Sequence, residues 1–363
     1  MTDRPLRALL VGAGGMGRGW SQALARNGDV QLVGIADIDD ARAEELAHTH
    51  DHDVATAKTL DHLLETTIEA DFVVDVTIPE AHHAVTMTAL NAGLPVLGEK
   101  PLAATLPEAL ELVATAEATQ TLFMVSQNRR YIDTIKTFKA YTQRLGALGA
   151  VVANFFKAPH FGGFRDEMAH PLILDMAIHT FDGARFLTDQ DPVAVYCDEY
   201  NPPWSWYAGD AATTAIFELI GGLRFVYTGS WCSPGQETSW NSAWRVSGAN
   251  GTAQWDGDNA PTLELTDDST DTPDVQTMEH SGLDGSLREF VEAVRNGSTP
   301  MGECHDNVVS LAMVHAAIVS ATTQQCVLIA DVLEQARTEA LTRATGPALD
   351  VLKAWTTLIP PSR

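Results

Sequence analysis

Between Leu6 and Arg129 the chain carries five short apolar runs, each followed by a segment of helix length or by a sharp change in texture. The runs are "LRALLVGAG", "VQLVGIAD", "ADFVVDVTIP", "LPVLGEKP" and "TLFMVSQNR". Between them lie Gly15–Asn27, "DDARAEELAHTH", "EAHHAVTMTALNAG" and a helix from about Leu106 to Thr119. Strands that follow one another through helices pair in parallel, because the crossover returns the chain to the end where it started. The apolar runs are nearly continuous rather than alternating, as strands buried on both faces require. This stretch therefore predicts an α/β fold, a doubly wound parallel sheet with helices on both faces.

The texture changes after Tyr131. One helix (Ile132–Arg144) precedes a β-rich series: "AVVANFFKA", "VAVYCDEY", "ATTAIFELI", "LRFVYTGSW", "SAWRVSGANGTAQWDG" and "TLELT". These alternate polar and apolar residues and are joined by Gly, Asn, Asp and Pro turns, which predicts a large, mostly antiparallel sheet. A helix, "HPLILDMAIHTFDGARFL", is inserted among them, and helices return at about Leu283–Asn296 and Asn307–Thr323. At 363 residues the chain suits two cores. The division read here is 1–128, a dinucleotide-type α/β domain; 129–340, an α+β domain; and 341–363, a helical tail. The acidic loop Asp267–Pro273, "DDSTDTP", is the expected mobile segment.

Composition narrows the function. The formal charge is −25, from 48 acidic against 23 basic side chains. Such a body repels phosphate backbones and anionic membranes, which argues against nucleic-acid or membrane partners. No uninterrupted apolar run approaches about 18 residues, and the N-terminal apolar run leads into glycines rather than a cleavage site, so neither a membrane span nor a signal peptide is expected. The cysteines Cys197, Cys232, Cys304 and Cys326 form no CxxC pair, so reduced thiols in a cytoplasm are expected, with no metal. "HTHDHD" (His48–Asp53) has metal-ligand chemistry but follows a surface helix, and a solvated turn is the expectation.

Three groups of residues carry chemistry. Gly12, Gly14 and Gly17 in "VGAGGMG" form GxGxxG between a strand and a helix. The first allows a tight turn, the second lets backbone approach a pyrophosphate, and the third lets the helix pack on its strand, with free N–H groups facing the phosphates. Asp37 follows about 20 residues on, at the end of the second strand, where a carboxylate accepts hydrogen bonds from ribose hydroxyls and repels a 2′-phosphate. NAD is favoured over NADP. Asp37 can also cap the next helix.

Glu99-Lys100-Pro101 lies at a strand end, where open α/β sheets bind ligands. The Lys100 ammonium can project over a bound cofactor, and the Lys100–Pro101 bond is a candidate for the cis form. In "LDMAIHTFD", Asp175 and His179 are four residues apart on one helix face, with Asp182 near it. A carboxylate beside an imidazole can accept the proton of an alcohol while a hydride leaves.

With "IPEAHHA" and "NRRY" in the same order and rough spacing, these features resemble the Gfo/Idh/MocA oxidoreductases, from about Leu6 to Leu187 by motif and beyond in texture. The resemblance implies an N-terminal Rossmann domain and a C-terminal domain for substrate binding and oligomerisation. It implies that Lys100 polarises the reacting oxygen, that His179 is the general acid/base and that Asp175 is a ligand to substrate hydroxyls. For the cofactor it implies Gly12, Gly14, Gly15, Met16, Gly17, Asp37, Thr77, Pro79, His83, Glu99 and Lys100. Family members usually have glycine where this chain has Ala177, which a helix tolerates.

Arg130, Arg165, His170 and Trp206 are the further substrate candidates, beside Lys100, Asp175 and His179. "HFGGFRDEMAHP" (His160–Pro171) is a glycine-hinged loop entering the helix of Asp175, and the rings of "NPPWSWYAGD" can stack on carbohydrate. The implied activity is NAD(P)-dependent hydride transfer from a secondary hydroxyl of a sugar, sugar derivative or cyclitol, by a homodimer or homotetramer in the cytoplasm. Two alternatives share these motifs: an NAD-dependent glycosidase or lyase using transient C3 oxidation, and a non-catalytic dinucleotide sensor, which needs neither Lys100 nor the Asp175/His179 pair.

Overall fold

The computed structural model describes residues 4–66, 68–267 and 277–357. Most of the acidic loop, all but Asp267, lies outside them. Two compact units emerge. Of the described residues, the first comprises 4–128, Glu279–Val308 and 335–357; the second comprises those within Arg129–Met278 and Val309–Glu334.

The first unit opens with β1 (Leu6–Val11), α1 (Gly15–Arg26), β2 (Val30–Ala36), α2 (Asp40–Ala47), β3 (Ala55–Ala57), α3 (Leu60–Leu64), β4 (Phe72–Asp75), α4 (Pro79–Asn91), β5 (Val96–Gly98), α5 (Leu106–Thr119) and β6 (Phe123–Val125). The six strands form one parallel sheet in the order β3-β2-β1-β4-β5-β6. The sixth strand, β3, is not foreshadowed by the sequence: its "ATA" is three residues long and follows the polar "HTHDHD" turn, so it has no apolar run to reveal it. All four residues of β4 are buried, as a central parallel strand requires. Asp39 caps α2 by accepting from the Ala41 N–H at 3.2 Å, and Thr105 caps α5. The order reverses between β2 and β4 on either side of β1, which opens a crevice beyond the carboxyl ends of β1 and β4.

The second unit contains α6 (Asp133–Gln143), β7 (Leu148–Phe156), α7 (Ile178–Thr188), β8 (Pro192–Tyr200), β9 (Ala212–Leu219), β10 (Arg224–Ser230), β11 (Ala243–Gly248), β12 (Gly251–Trp255) and β13 (Thr262–Leu265). A five-residue π-helical turn, Ile173–Ala177, leads into α7. The sheet is mixed and mostly antiparallel, and only β7 and β10 pair in parallel. Its covered face packs on α7: the Phe181 ring meets Phe217 at 4.8 Å and Tyr227 at 5.3 Å, edge to face. The opposite face carries a register row running Tyr196, Ile216, Val226, Val152, Arg245 and Gln254 across six strands. Tyr196 and Ile216 in that row are 47% and 44% exposed.

The rest of the chain is α8 (Gly282–Asn296), α9 (Cys304–Thr323), β14 (Val327–Leu328), α10 (Ile329–Arg343) and α11 (Gly346–Ala354). β14 completes the second sheet beside β8. α8 belongs to the first unit, where Phe290 meets Phe72 of β4 edge to face at 5.3 Å and Asp284 pairs with Arg26 of α1. α11 covers α5, and Trp355 just beyond it donates to Glu117 at 2.9 Å. That cover explains why α5 is buried along nearly its whole length. The division read from the sequence, with 129–340 as one block, therefore changes: the chain returns to the first unit twice, because that sheet needs α8 and α11 to cover surface its own first 128 residues leave bare. α9 is long and apolar enough to cross a membrane, but 67% of its apolar stretch is buried in the protein, which makes it a core helix. All four cysteines are free thiols.

A buried ion pair organises the second unit. Arg130 donates from Nε and Nη2 to both oxygens of Asp182, at 2.8 and 2.6 Å, and Ser310 donates to the same carboxylate at 2.8 Å. Arg130, a substrate candidate by sequence, is buried, and Asp182 faces it. Asp182→Asn leaves the guanidinium buried without its counter-charge, and a loss of about 3 kcal/mol in unfolding free energy is expected in chemical denaturation.

Candidate active site

The glycine turn is shaped by backbone packed on backbone. Gly12 has φ +103, and a Cβ there would lie 2.6 Å from the Val76 carbonyl oxygen. A Cβ on Gly17 would lie 2.0 Å from the Gly12 carbonyl oxygen, so only hydrogen fits. Gly14 and Gly15 are the opposite case: a Cβ added at either would meet nothing within 4 Å, and no side chain caps α1. The first N–H groups of the helix therefore face an open cradle. Met16 is exposed beside it.

Asp37 follows β2 with both carboxylate oxygens directed inward. It accepts from the Ala13 N–H at 2.7 Å and from the Asp39 N–H at 2.9 Å. The capping of α2 falls to Asp39, and the Asp37 carboxylate braces the glycine turn. Arg42, a helical turn onward, pairs with Asp39 at 3.2 Å.

The Glu99-Lys100-Pro101 turn follows β5, and its Lys100–Pro101 bond is cis. Glu99 is buried; its Oε1 accepts from the indole N–H of Trp20 in α1 at 2.7 Å, and its Oε2 accepts from the Lys100 N–H at 3.2 Å. Burial pushes this carboxyl above its ordinary range, against the pull of the Trp20 N–H. Thr77, after β4, donates its hydroxyl to buried Asp75 at 2.6 Å, and Pro79 opens α4.

His82 ties these loops together, although the motif points to its neighbour. Its Nδ1 lies 2.7 Å from the Pro101 carbonyl oxygen and its Nε2 3.0 Å from that of Thr77. The ring thus bridges the loop after β4 and the turn after β5 through one nitrogen each. Asp75 lies in its field; burial raises that carboxyl and the His82 charge opposes the rise. His83 points elsewhere, to Glu111 of α5 at 2.9 Å. A helical pattern separates the two: His82, Thr86, Ala89 and Leu90 form the buried stripe of α4.

In the second unit Asp175 lies in the π-helical turn and His179 one turn later in α7, both half-buried. Asp175 accepts from Nε of Arg165 at 2.7 Å, which joins two predicted residues directly. His170 is paired away from them, its Nδ1 2.7 Å from Glu199. That hydrogen bond lifts the imidazole above its ordinary range, and burial in turn lifts Glu199. Trp206 is stacked on His160 at 4.9 Å. In "HTHDHD", His50 contacts the Ser21 hydroxyl at 2.7 Å and His52 the Leu32 carbonyl at 2.8 Å. Among the described residues the gathered ligand-type atoms are those of Glu303, Cys304 and His305, where the Glu303 carboxylate accepts from the His305 backbone and ring at the start of α9.

Residues 6–127 match the oxidoreductase family model for the NAD-binding Rossmann fold, and residues 142–254 match the GFO/IDH/MocA C-terminal domain. The chain belongs to the Gfo/Idh/MocA oxidoreductase family. Among its relatives, the rhizopine catabolism protein MocA of Rhizobium meliloti is 28% identical over 325 residues, 85% of this chain and 92% of that protein. The inositol 2-dehydrogenase of Rhizobium meliloti is 24% identical over 347 residues, covering 88% and 98%. The WlbA dehydrogenase of Bordetella pertussis, solved with NADH and UDP-GlcNAcA, shares the fold at TM-score 0.79 and 20% identity, covering 90% of this chain and 99% of that one.

This Gfo/Idh/MocA chain has the features that a bound NAD(P) requires. The open cradle at Gly14 and Gly15 admits a pyrophosphate on the α1 N-terminus, and the Asp37 carboxylate keeps lone pairs for a ribose. Replacing His82 with Phe removes the two ring nitrogens that face the Pro101 and Thr77 carbonyls. A loss of about 2 kcal/mol in stability is expected, measured by urea unfolding.

Proposed function

We propose that this NAD(P)-binding oxidoreductase oxidises a secondary hydroxyl of a sugar or cyclitol, with NAD as the preferred dinucleotide. The observation that carries the reading is the Glu99-Lys100-Pro101 turn at the end of β5, where Glu99 holds the backbone N–H of a lysine at the ligand-binding end of a dinucleotide sheet. Relatives named inositol 2-dehydrogenase, aligned over 88% and 89% of this chain, support the substrate class. The Asp37 carboxylate supports NAD, since a 2′-phosphate would be repelled there.

The bound nicotinamide supplies the hydride acceptor. Lys100 stabilises negative charge on the substrate oxygen as the hydroxyl proton leaves. His179 accepts that proton through a ring nitrogen as the general base. Asp175 accepts a hydrogen bond from a neighbouring hydroxyl and so fixes which carbon presents its hydrogen; for this it exchanges part of its bond to Arg165. Lys100→Ala is expected to lower kcat/KM by roughly 10³-fold while dinucleotide binding persists. The assay is reduced-cofactor absorbance with a panel of pyranoses, glycosides and inositols, with NAD and NADP in parallel. A variant that binds cofactor and retains full turnover would remove the assigned chemistry.

The register row Tyr196–Ile216–Val226–Val152, exposed at Tyr196 and Ile216, also supports self-association through the open face of the second sheet, giving a homodimer or homotetramer. Ile216→Asp places a charge in the middle of that row, and light scattering after size exclusion should report a smaller species.

A further inference from the structure

We propose that the loop carrying Phe161, Phe164 and Arg165 is an aromatic platform for a second ring of the substrate, one attached to the ring that bears the oxidised hydroxyl. The inference rests on the assignment of Asp175 to substrate. Phe161 and Phe164 are 59% and 61% exposed, and Trp240 is 42% exposed. Scattered apolar side chains at a surface need no explanation, but neighbouring aromatic rings left in water mark a binding surface. Phe161 and Trp240 are close to parallel, with centroids 6.4 Å apart, and Trp231 meets Phe161 edge-on at 6.3 Å.

Arg165 connects this surface to the chemistry. Its guanidinium lies 5.7 Å from the Phe161 centroid and 4.7 Å from that of Phe164, and its Nε donates to Asp175 at 2.7 Å. The platform thus begins one side chain away from the carboxylate that holds a substrate hydroxyl. Gly162 and Gly163, at φ +71 and +73, make the reversal between the two phenylalanines, and neither has a neighbour within 4 Å of its Cβ position.

Charge selects the occupant. Arg165 is answered by Asp175, and Lys157, which lies 4.9 Å over the Trp240 ring, is answered by Glu237 at 2.9 Å. What remains on offer is exposed aromatic surface whose two neighbouring cations are each paired with a carboxylate. Such a surface takes an apolar or C–H-faced ring, as in an aryl or glycosyl glycoside, rather than a phosphate or a free cyclitol.

The test compares methyl and phenyl glycosides of one sugar, in wild type, Phe161→Ala and Trp240→Ala, by NAD reduction and by calorimetric binding to the NAD-loaded protein. The phenyl glycoside is expected to have roughly tenfold higher kcat/KM, carried by KM, and each variant to reduce that preference roughly fivefold. Equal rates for the two glycosides, or equal losses on both in the variants, would overturn the platform. So would a changed oligomeric state in Phe161→Ala, which would give these rings to a second copy of the chain. If none of the pyranoses, glycosides and inositols is oxidised, the dehydrogenase reading fails separately: Phe161-dependent binding of the phenyl glycoside would then still uphold the platform, and its absence would sink it.

Discussion

The first unit depends on two places where backbone touches backbone with no room for a side chain. The missing Cβ of Gly17 lets α1 settle on the Gly12 carbonyl, and the missing Cβ of Gly12 lets that turn settle on Val76 after β4. Once α1 is seated so closely, Trp20 on its next turn reaches Glu99, and Glu99 holds the backbone of Lys100. The dinucleotide cradle and the lysine turn are therefore one mechanical assembly, linked by a single indole–carboxylate hydrogen bond. His82 closes it from the other side by joining the loops after β4 and β5.

The two units handle their charges differently. Around Lys100 the carboxyls of Asp75 and Glu99 are buried and raised, each engaged by donors from a neighbouring loop or helix. Those groups cannot move without leaving polar atoms unsatisfied, which favours a fixed geometry. In the second unit the Arg130–Asp182 pair is equally buried, whereas Arg165–Asp175 is partly open, with 33% and 15% side-chain exposure. A half-open ion pair can exchange partners with an arriving hydroxyl; a sealed one cannot.

Much of this is legible in the sequence because the relevant signals are local. Alternating apolar runs and helices specify the parallel sheet, and the glycine spacing specifies the turn. What the sequence does not show is which partner a side chain meets. Arg130, after the last strand of the parallel sheet, meets Asp182 after 52 residues, and Arg165, in the glycine-hinged loop, meets Asp175 after 10. Trp20 lies 79 residues from Glu99. His82 and His83 are adjacent, and only the helical stripe of α4 tells them apart. The π-helical turn at Asp175 has no sequence signature that distinguishes "ILDMA" from ordinary α-helix.

The first unit is also discontinuous along the chain. Phe290 of α8 packs on Phe72, and α11 lies over α5, although both helices come from beyond residue 278. A gene fragment ending at codon 128 would encode every strand of the parallel sheet and still bare two apolar strips to water. Recombination between relatives is thereby constrained: the dinucleotide half is inherited whole only when the distal quarter of the gene travels with it.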